Sequence, residues 1–360
     1  MKSYIEAIDQ TLNHKLSMSN MELYHSNLLA RVLEKYKEEP FSLLEGVVPN
    51  YKAYRTICVE RESKHKDLTI ILSNGNQTIT VIIENKFKSL PEREQLEKYT
   101  TKDSNMYYIL LSLTEPEKDI LPEKWCWKNY DELSKYYSKI AKKTNDLLFK
   151  EFLKDYIRYI SAVSKLLNAS ELDMELEKYY IEPSVRKELK NIGLVDLVDK
   201  IRYEKMKNRI KCNNGIGRPY SNRMSGGFYF GYNYEINEYL SFDIQIQGNQ
   251  YRHKLNIKKS IGKSKEELID ICEDLKTKKL FFTFEKNDFL ITPSRRRNNW
   301  NKYESDKSID LYDYKKIVDQ ATFKDLITYI NNQIKILVRN SKEIENLVMN
   351  EEQTSRNLKK

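Results

Sequence analysis

The chain has few of the residues that build metal clusters, disulfide frameworks or membrane anchors. Its 360 residues include 4 cysteines and 4 histidines. No two of the cysteines form a Cys-x-x-Cys pair, and we expect neither a zinc centre nor a disulfide framework. No apolar run approaches the roughly 18 residues of a membrane span, and the first residues, "MKSYIEAIDQ", lack the apolar segment of a secretion signal. We therefore expect a cytoplasmic protein that does not enter a membrane.

Basic residues outnumber acidic residues. Lys and Arg total 62 against 53 Asp and Glu, which gives a formal net charge of +9. This excess favours a polyanionic partner, although a lysine-rich solvated surface gives the same excess. The hydrophobic content of 40% is sufficient for a sizeable core, and the length suits two domains or one elaborate domain.

Periodicity predicts one α/β domain over residues 1–168. Residues 20–36 form a helix with Asn20 as its N-cap, and residues 55–62 and 67–72 form strands. A turn then leads into the apolar strand "TITVIIENK". A helix from about 90 to 101 has Pro91 in its first turn and Ser89 and Glu92 at capping-box spacing. The run "MYYILLSL" at 106–113 is a further strand of the same sheet, and two helices ending near 167 follow.

The remainder of the chain changes character. Residues 169–215 are expected to form a basic helical connector, and residues 213–227 contain a glycine-rich loop. Residues 216–340 form a C-terminal α+β segment that would bind a substrate or a partner, with a hairpin across the "QGNQ" turn and a strand "KLFFTFEK" at 279–286. Helices are predicted near 264–276 and 323–338, and a polar tail over 341–360 is expected to fray.

The strand "TITVIIENK" ends in a charged triplet. Residues two apart on a strand face the same way, so Glu84 and Lys86 share one face while Asn85 points to the other. A two-residue turn at Asn74–Gly75 would pair Asp67 with residue 82, and a four-residue loop at 74–77 would pair it with Glu84. Either register places Asp67 on the face of Glu84.

Two carboxylates on one sheet face favour a bound cation. Their charges repel, and partial burial makes that repulsion costly unless a cation neutralises it. Oxygen ligands of this kind suit Mg²⁺ or Mn²⁺, which take one or two carboxylates from a protein and keep several waters. A water bound to such an ion can act as a nucleophile toward a phosphate group. Lys86 would orient or deprotonate that water, or offset the negative charge that develops on the phosphate. A solvated, ion-paired strand edge is the alternative interpretation, because Glu188-Leu189-Lys190 shows that the same triplet also occurs in a predicted helix.

The order Asp67, Glu84-Asn85-Lys86, followed by "EQLEKY" and preceded by "MELYHSNLLARVL", resembles the PD-(D/E)XK nuclease superfamily over roughly residues 15–165. The resemblance implies a restriction-endonuclease-like core, in which a mixed sheet is flanked by helices. It also implies that Glu22 assists Asp67 and Glu84 in holding the metal, and that Gln95 and Tyr99 line the cleft. The sequence departs from the pattern at Lys66, which stands where the superfamily has its proline.

Further site residues are less clearly marked. Glu60 and Glu62 both end the first strand, and we prefer Glu62 as a supporting acidic residue because it directly precedes the loop to Asp67. Basic residues that would contact nucleic acid are Lys88, Arg295, Arg296 and Arg297, although a solvated charge run explains the three arginines equally well.

The resemblance implies an endonuclease or exonuclease that depends on Mg²⁺ or Mn²⁺ and acts on DNA in preference to RNA. It further implies a role in restriction or phage defence. The alternative is a catalytically silent nuclease-like module that binds nucleic acid or a partner protein. A homo-oligomer and a protein partner both stay open.

Overall fold

The computed structural model describes residues 1–63, 65–116, 120–168, 178–179, 181–211, 217–224, 227–284, 287–292 and 300–357. The chain divides into two compact units. The first comprises Met1–Ser170 and Pro183–Leu197, and the second comprises Glu171–Glu182 and Val198–Lys360. None of the described helices combines the length and the apolar character that a membrane crossing requires.

The first unit is a five-stranded mixed sheet flanked by helices. Its elements are α1 (Lys2–Asp9), α2 (Leu12–Ser17), α3 (Met21–Lys35), β1 (Arg55–Ser63), β2 (Lys66–Ser73), β3 (Thr78–Lys86), α4 (Arg93–Tyr99), β4 (Met106–Ser112), β5 (Trp125–Asn129), α5 (Tyr130–Lys143), α6 (Leu147–Leu167) and α7 (Pro183–Asn191). The strands are ordered β1-β2-β3-β4-β5. β1, β2 and β3 are antiparallel neighbours, whereas β4 and β5 run parallel to β3. The predicted restriction-endonuclease-like α/β core is confirmed.

The two faces of this sheet are covered by different helices. One face carries fully buried aliphatic residues of β2 and β3, including Leu68, Ile70 and Ile83, and α3 packs on this side. On the opposite face, α4 contributes Leu96 to an apolar cluster. The other members of that cluster are Ile82, Tyr108, Leu110 and Trp125. Helix α4 therefore lies on the sheet face to which Glu84 and Lys86 belong.

The first unit differs from the sequence prediction in several elements. Helix α4 begins at Arg93, and Ser89 does not form the predicted capping box, because it binds Glu22 of α3 instead. Strand β5 was missed, since Trp125–Asn129 is short and continues directly into α5. Helices α1 and α2 were not predicted. Helix α3 has the predicted N-cap, where the Asn20 side chain accepts a hydrogen bond from the backbone N–H of Leu23 at 3.1 Å.

The second unit contains an antiparallel sheet with two long helices. The elements that follow α7 are α8 (Val195–Lys207), β6 (Arg218–Met224), β7 (Gly227–Asn237), β8 (Leu240–Gln247), β9 (Gln250–Lys258), α9 (Lys265–Thr277), β10 (Leu290–Ile291), β11 (Asn301–Glu304), β12 (Ser308–Ile317) and α10 (Phe323–Asn357). The sheet order is β10-β12-β9-β8-β7-β6, with β11 paired to β12. Apolar side chains of α9 and α10 form a core with one face of this sheet.

Three predictions for this unit are wrong. The glycine-rich loop expected over 213–227 includes strand β6, which pairs along its length with β7. Residues 279–284 form no strand, because Lys279 and Phe282 have positive φ angles and the aromatic side chains of this stretch turn into the core. Helix α10 extends far beyond 338 into the expected polar tail, since Ile344 and Val348 continue its buried apolar face.

Candidate active site

The β2–β3 hairpin brings Asp67 next to Glu84. The strands pair Ser73 with Thr78 and Leu68 with Ile83, which leaves a four-residue loop at 74–77. This is the second of the two registers derived from the sequence, and its continuation places Asp67 across from Glu84. The backbone N–H of Asn85 donates to Asp67 Oδ2 at 2.7 Å, which fixes this carboxylate at the end of β3.

Glu84 is a buried carboxylate whose two oxygens have different surroundings. Its side chain is 2% exposed, and Oε1 accepts hydrogen bonds from Lys86 Nζ at 2.9 Å and Gln95 Nε2 at 2.7 Å. The other oxygen, Oε2, is buried and has no hydrogen-bond partner among the residues that the structure describes. Buried polar atoms without a partner are few in native proteins, and each requires an explanation.

Gln95 and Tyr99 form the wall that α4 presents to this carboxylate. They lie one helical turn apart, and Gln95 Nε2 is 3.2 Å from the hydroxyl oxygen of Tyr99. The Tyr99 hydroxyl donates to the backbone carbonyl of His65 at 2.7 Å. This chain of contacts links α4 to the loop between β1 and β2 and holds Gln95 against Glu84. His65 takes part through its backbone alone in these contacts.

Glu22 is held at the edge of the site by the segment that follows β3. Its Oε1 accepts hydrogen bonds from the backbone N–H of Ser89 at 3.0 Å and of Lys88 at 3.3 Å, and from the Ser89 hydroxyl. The Glu22 charge still acts on Asp67, Glu84 and Lys86. The first turn of α3 is thus tied to the site by both position and charge.

Asn85 connects the other face of β3 to two helices. Its Nδ2 donates to the Glu22 carbonyl and to Ser26 Oγ, both at 2.9 Å, while its Oδ1 accepts from the Tyr130 hydroxyl. The residue is almost fully buried. These contacts fix the backbone of the Glu84-Asn85-Lys86 triplet between α3 and α5.

Burial raises the pKa of both carboxylates, and neighbouring negative charges add to the effect. Burial, reinforced by the negative charge of Asp67, raises the pKa of Glu84 to about 7 against the opposing effect of Lys86. Burial also raises the pKa of Asp67, and the charges of Glu22 and Glu62 add to this, although the Asn85 N–H and Lys86 oppose it. Burial alone would lower the pKa of Lys86, but the attraction of Glu84 outweighs it and the pKa is raised.

The remaining sequence-predicted residues take less central places. Glu62 is exposed and has a positive φ of 53°, and its charge acts on Asp67. Glu60 is exposed, faces Thr69 across the strand pair and does not figure among the charges that act on Asp67. Lys88 contributes its backbone N–H to Glu22. Arg295, Arg296 and Arg297 lie outside the described residues.

Sequence reasoning missed the positioning contacts of Ser89, Asn85 and Tyr130. Ser89 followed a capping-box pattern, which concealed its contact with α3. The signal for Asn85 was available, because a polar side chain at the end of an apolar strand must find hydrogen-bond partners once it is buried. Tyr130 gave no such signal, since a tyrosine at the start of an amphipathic helix is ordinarily a core residue.

A divalent cation fits the chemistry of this donor set. Asp67 and Glu84 offer hard carboxylate oxygens, and Mg²⁺ requires only one or two of these together with waters. No donor from the described residues contacts the buried Oε2 of Glu84, and a nearby cation would oppose the burial and the neighbouring negative charges that raise both pKa values. Among the described residues, no three His, Cys, Asp or Glu side chains already converge in the manner of a complete protein cage.

Comparison with known proteins identifies the segment that contains this site. Residues 14–158 match the family model described as PD-(D/E)XK nuclease superfamily. No curated protein and no solved structure matches the chain. The matched segment includes α3, the β2–β3 hairpin and α4, and the resemblance seen in the sequence is confirmed for these residues.

Proposed function

We propose that the first unit, whose residues 14–158 match the PD-(D/E)XK nuclease superfamily, is a metal-dependent nuclease that hydrolyses phosphodiester bonds, with DNA as its preferred substrate. The observation that carries this proposal is the state of Glu84. One of its oxygens is bound by Lys86 and Gln95, while the other is buried and has no partner in the part of the chain that the structure describes.

Each residue has a separate role in this proposal. Asp67 and Glu84 would hold Mg²⁺ or Mn²⁺, with Glu22 assisting from α3. The bound ion would polarise a phosphoryl oxygen and lower the pKa of a ligand water. Lys86, whose side chain is 12% exposed, would orient that water and offset negative charge that develops on the phosphoryl group. Gln95 fixes the orientation of Glu84 and leaves Oε2 free.

The test is a cleavage assay with supercoiled, linear and single-stranded DNA and with RNA, each in Mg²⁺, Mn²⁺ or EDTA. We expect cleavage that requires the metal and that falls about 100-fold or more in Asp67→Asn and Lys86→Ala, the size of effect seen when one stabilising group is removed from an active site. Lys190→Ala is the matched control, because Lys190 is the exposed lysine of the second Glu-x-Lys triplet, in α7. Equal cleavage by wild type and Asp67→Asn, or cleavage in EDTA, would contradict the proposal.

A silent binding module is the second candidate. It is favoured by one observation, namely that the described acidic side chains do not already form a three-ligand group. Its expected result is retention of nucleic acid by the wild type without cleavage under any of these metal conditions. Cleavage that disappears in Lys86→Ala would exclude it.

The biological role that we propose is restriction or defence against phage. Phage should then form plaques less efficiently on cells that express the wild-type chain than on cells that express Lys86→Ala at the same level. Equal efficiency of plaque formation on the two kinds of cell, across a broad panel of phages, would contradict this role and would leave the conclusion of the cleavage assay unchanged.

A further inference from the structure

One face of the seven-stranded sheet in the second unit carries polar and aromatic side chains. Along β9, Tyr251, His253, Leu255 and Ile257 are buried in the core, so residues 250, 252, 254 and 256 project from the other face. The apolar side chains of α9 and α10 pack on the core face. The outward face is therefore built from side chains that the core does not require.

The centre of this face is a satisfied charge network. Lys254 Nζ lies 2.7 Å from Asp243 Oδ2 and 3.1 Å from Asp310 Oδ2. The side-chain amide of Asn233 donates to Asp243 at 3.0 Å, and that of Asn256 donates to Asp310. These carboxylates are thus bound within the sheet.

Arg252, the next outward residue of β9, is in a different position. Its Nε and Nη2 donate to the neutral side-chain oxygen of Gln250, at 2.9 and 2.6 Å. No carboxylate of the described residues forms an ion pair with it, and burial lowers the pKa of this guanidinium. A guanidinium has five N–H donors, and two of them are engaged within the described part of the chain. A half-buried cation without a counter-ion is costly, and an anionic ligand would remove that cost.

Two tyrosines of β12 lie beside this cation, and a third lies farther along the same face. Tyr314 is paired with Arg252 across β12 and β9, and the Arg252 guanidinium lies 5.0 Å from the centre of the Tyr312 ring. Tyr303 of β11 is paired with Asp310 and is 63% exposed, so its ring does not contribute to the hydrophobic core. Lys316, two positions beyond Tyr314 on the same strand, is exposed. We call the surface formed by Arg252, Tyr303, Tyr312, Tyr314 and Lys316 the tyrosine face.

We propose that the tyrosine face binds single-stranded nucleic acid, with Arg252 holding a backbone phosphate and the tyrosine rings stacking against bases. Charge complementarity identifies an anion as the ligand, and the rings identify its kind. Bases of a single strand are free to stack on aromatic side chains, whereas the bases of a duplex are already stacked on one another. An acidic peptide would satisfy Arg252 but would leave the rings unused.

The test measures binding by the full chain in EDTA, so that it is independent of cleavage. The probe is a short fluorescent oligothymidine, and its binding is measured by fluorescence anisotropy. It also carries one 5-iododeoxyuridine for photo-cross-linking. We expect Arg252→Gln to weaken binding about tenfold and to reduce the salt dependence by about one phosphate contact. Arg252→Lys should be weakened less, since it keeps the charge. Arg339→Gln is the matched control, because Arg339 is an exposed arginine on α10.

Cross-linking keeps the proposal testable if a variant folds poorly, because it uses the wild-type chain. We expect cross-linked peptides from residues 301–317, which contain the three tyrosines. The proposal is overturned if the wild type does not bind at low salt, if Arg252→Gln binds within twofold of wild type, or if no cross-link falls in residues 301–317. It is also overturned if polyglutamate or duplex DNA displaces the probe as well as unlabelled oligothymidine does. Loss of cleavage in the earlier assay, with this binding intact, would affect only the proposed nuclease activity.

Discussion

Replacement of Glu84 by glutamine should stabilise the first unit in EDTA, and the gain should grow with pH. The pKa of Glu84 is raised from 4.5 to about 7 in the folded protein. Below pH 4.5 the group is protonated in both the folded and unfolded states and does not affect the comparison. Between 4.5 and 7 the unfolded chain loses its proton first, so the wild type becomes progressively less stable as pH rises. Above pH 7 the full penalty is about 3 kcal/mol, at about 1.4 kcal/mol for each pKa unit, and the neutral glutamine does not incur it.

Urea denaturation at pH 5 and pH 8 measures this difference. Trp125 and Trp127 lie in β5 of the first unit, so their fluorescence reports its unfolding once Trp300 of the second unit is replaced by phenylalanine in every variant. The matched control is Glu97→Gln on α4, an exposed glutamate paired with Arg93, which should stay within about 0.5 kcal/mol of wild type at both pH values. The reasoning is refuted if Glu84→Gln is less stable than wild type at pH 8, or if its advantage is the same at pH 5.

Four further outcomes are expected. Mg²⁺ or Mn²⁺ should raise the melting temperature of the wild type in a saturable way, and should have little effect on Glu84→Gln. Asn85→Ala should lower the free energy of unfolding of the first unit by about 3 kcal/mol, because the buried Asn85 side chain loses three hydrogen bonds. Gln95→Ala should lower kcat about tenfold, since Glu84 loses one of the two donors that orient it. His253→Gln should reduce acid destabilisation of the second unit: burial lowers the pKa of His253 to about 3, so wild-type stability falls by up to about 1.4 kcal/mol per pH unit as pH drops below 6.5.

Each of these outcomes has its own check. Differential scanning fluorimetry with a metal titration tests the first, and a monotonic, unsaturable shift in both proteins would contradict it. Asn105→Ala is the control for Asn85→Ala, because Asn105 is exposed, and equal losses in urea would refute the buried network as the cause. Single-turnover cleavage tests Gln95→Ala, and a change in KM without a change in kcat would contradict the prediction. With Trp125 and Trp127 replaced by phenylalanine in both proteins, parallel pH slopes of Trp300 fluorescence for wild type and His253→Gln would show that His253 does not carry the effect.

The geometry of the site could be predicted to the extent that it depends on strand periodicity. Alternation along β3 assigned Glu84 and Lys86 to one face, and the hairpin placed Asp67 there in either register. The choice between the registers could not be made, because Asn74–Gly75 suits a two-residue turn as well as the start of a longer loop. In the structure, Asn74 Oδ1 accepts from the backbone N–H groups of Asn76 and Gln77, and this local contact stabilises the four-residue loop.

Contacts between distant segments set the limit of prediction. Ser89 had a plausible local partner in Glu92, but its N–H and hydroxyl bind Glu22, which lies far away in the sequence. The stretch at 279–284 has the aromatic composition of a strand, and yet its rings pack around His253, with Phe281 at 4.7 Å and Phe284 at 4.6 Å between ring centres. The aromatic composition predicted correctly that these side chains would be buried. Their backbone conformation depends on tertiary packing, which the local sequence does not specify.

Burial distinguishes the two interpretations of the Glu-x-Lys triplet, a solvated ion pair and a cation site. A solvated ion pair at a strand edge would be exposed, would contribute little stability and would leave no oxygen without solvent. Glu84 and Lys86 are 2% and 12% exposed, and a buried pair of this kind is seldom more stable than apolar residues of the same volume. Lys86 and Gln95 both contact Glu84 Oε1, whereas no donor among the described residues contacts Oε2. An oxygen without a donor is expected of the cation site that we propose, and it is not expected of a purely structural ion pair.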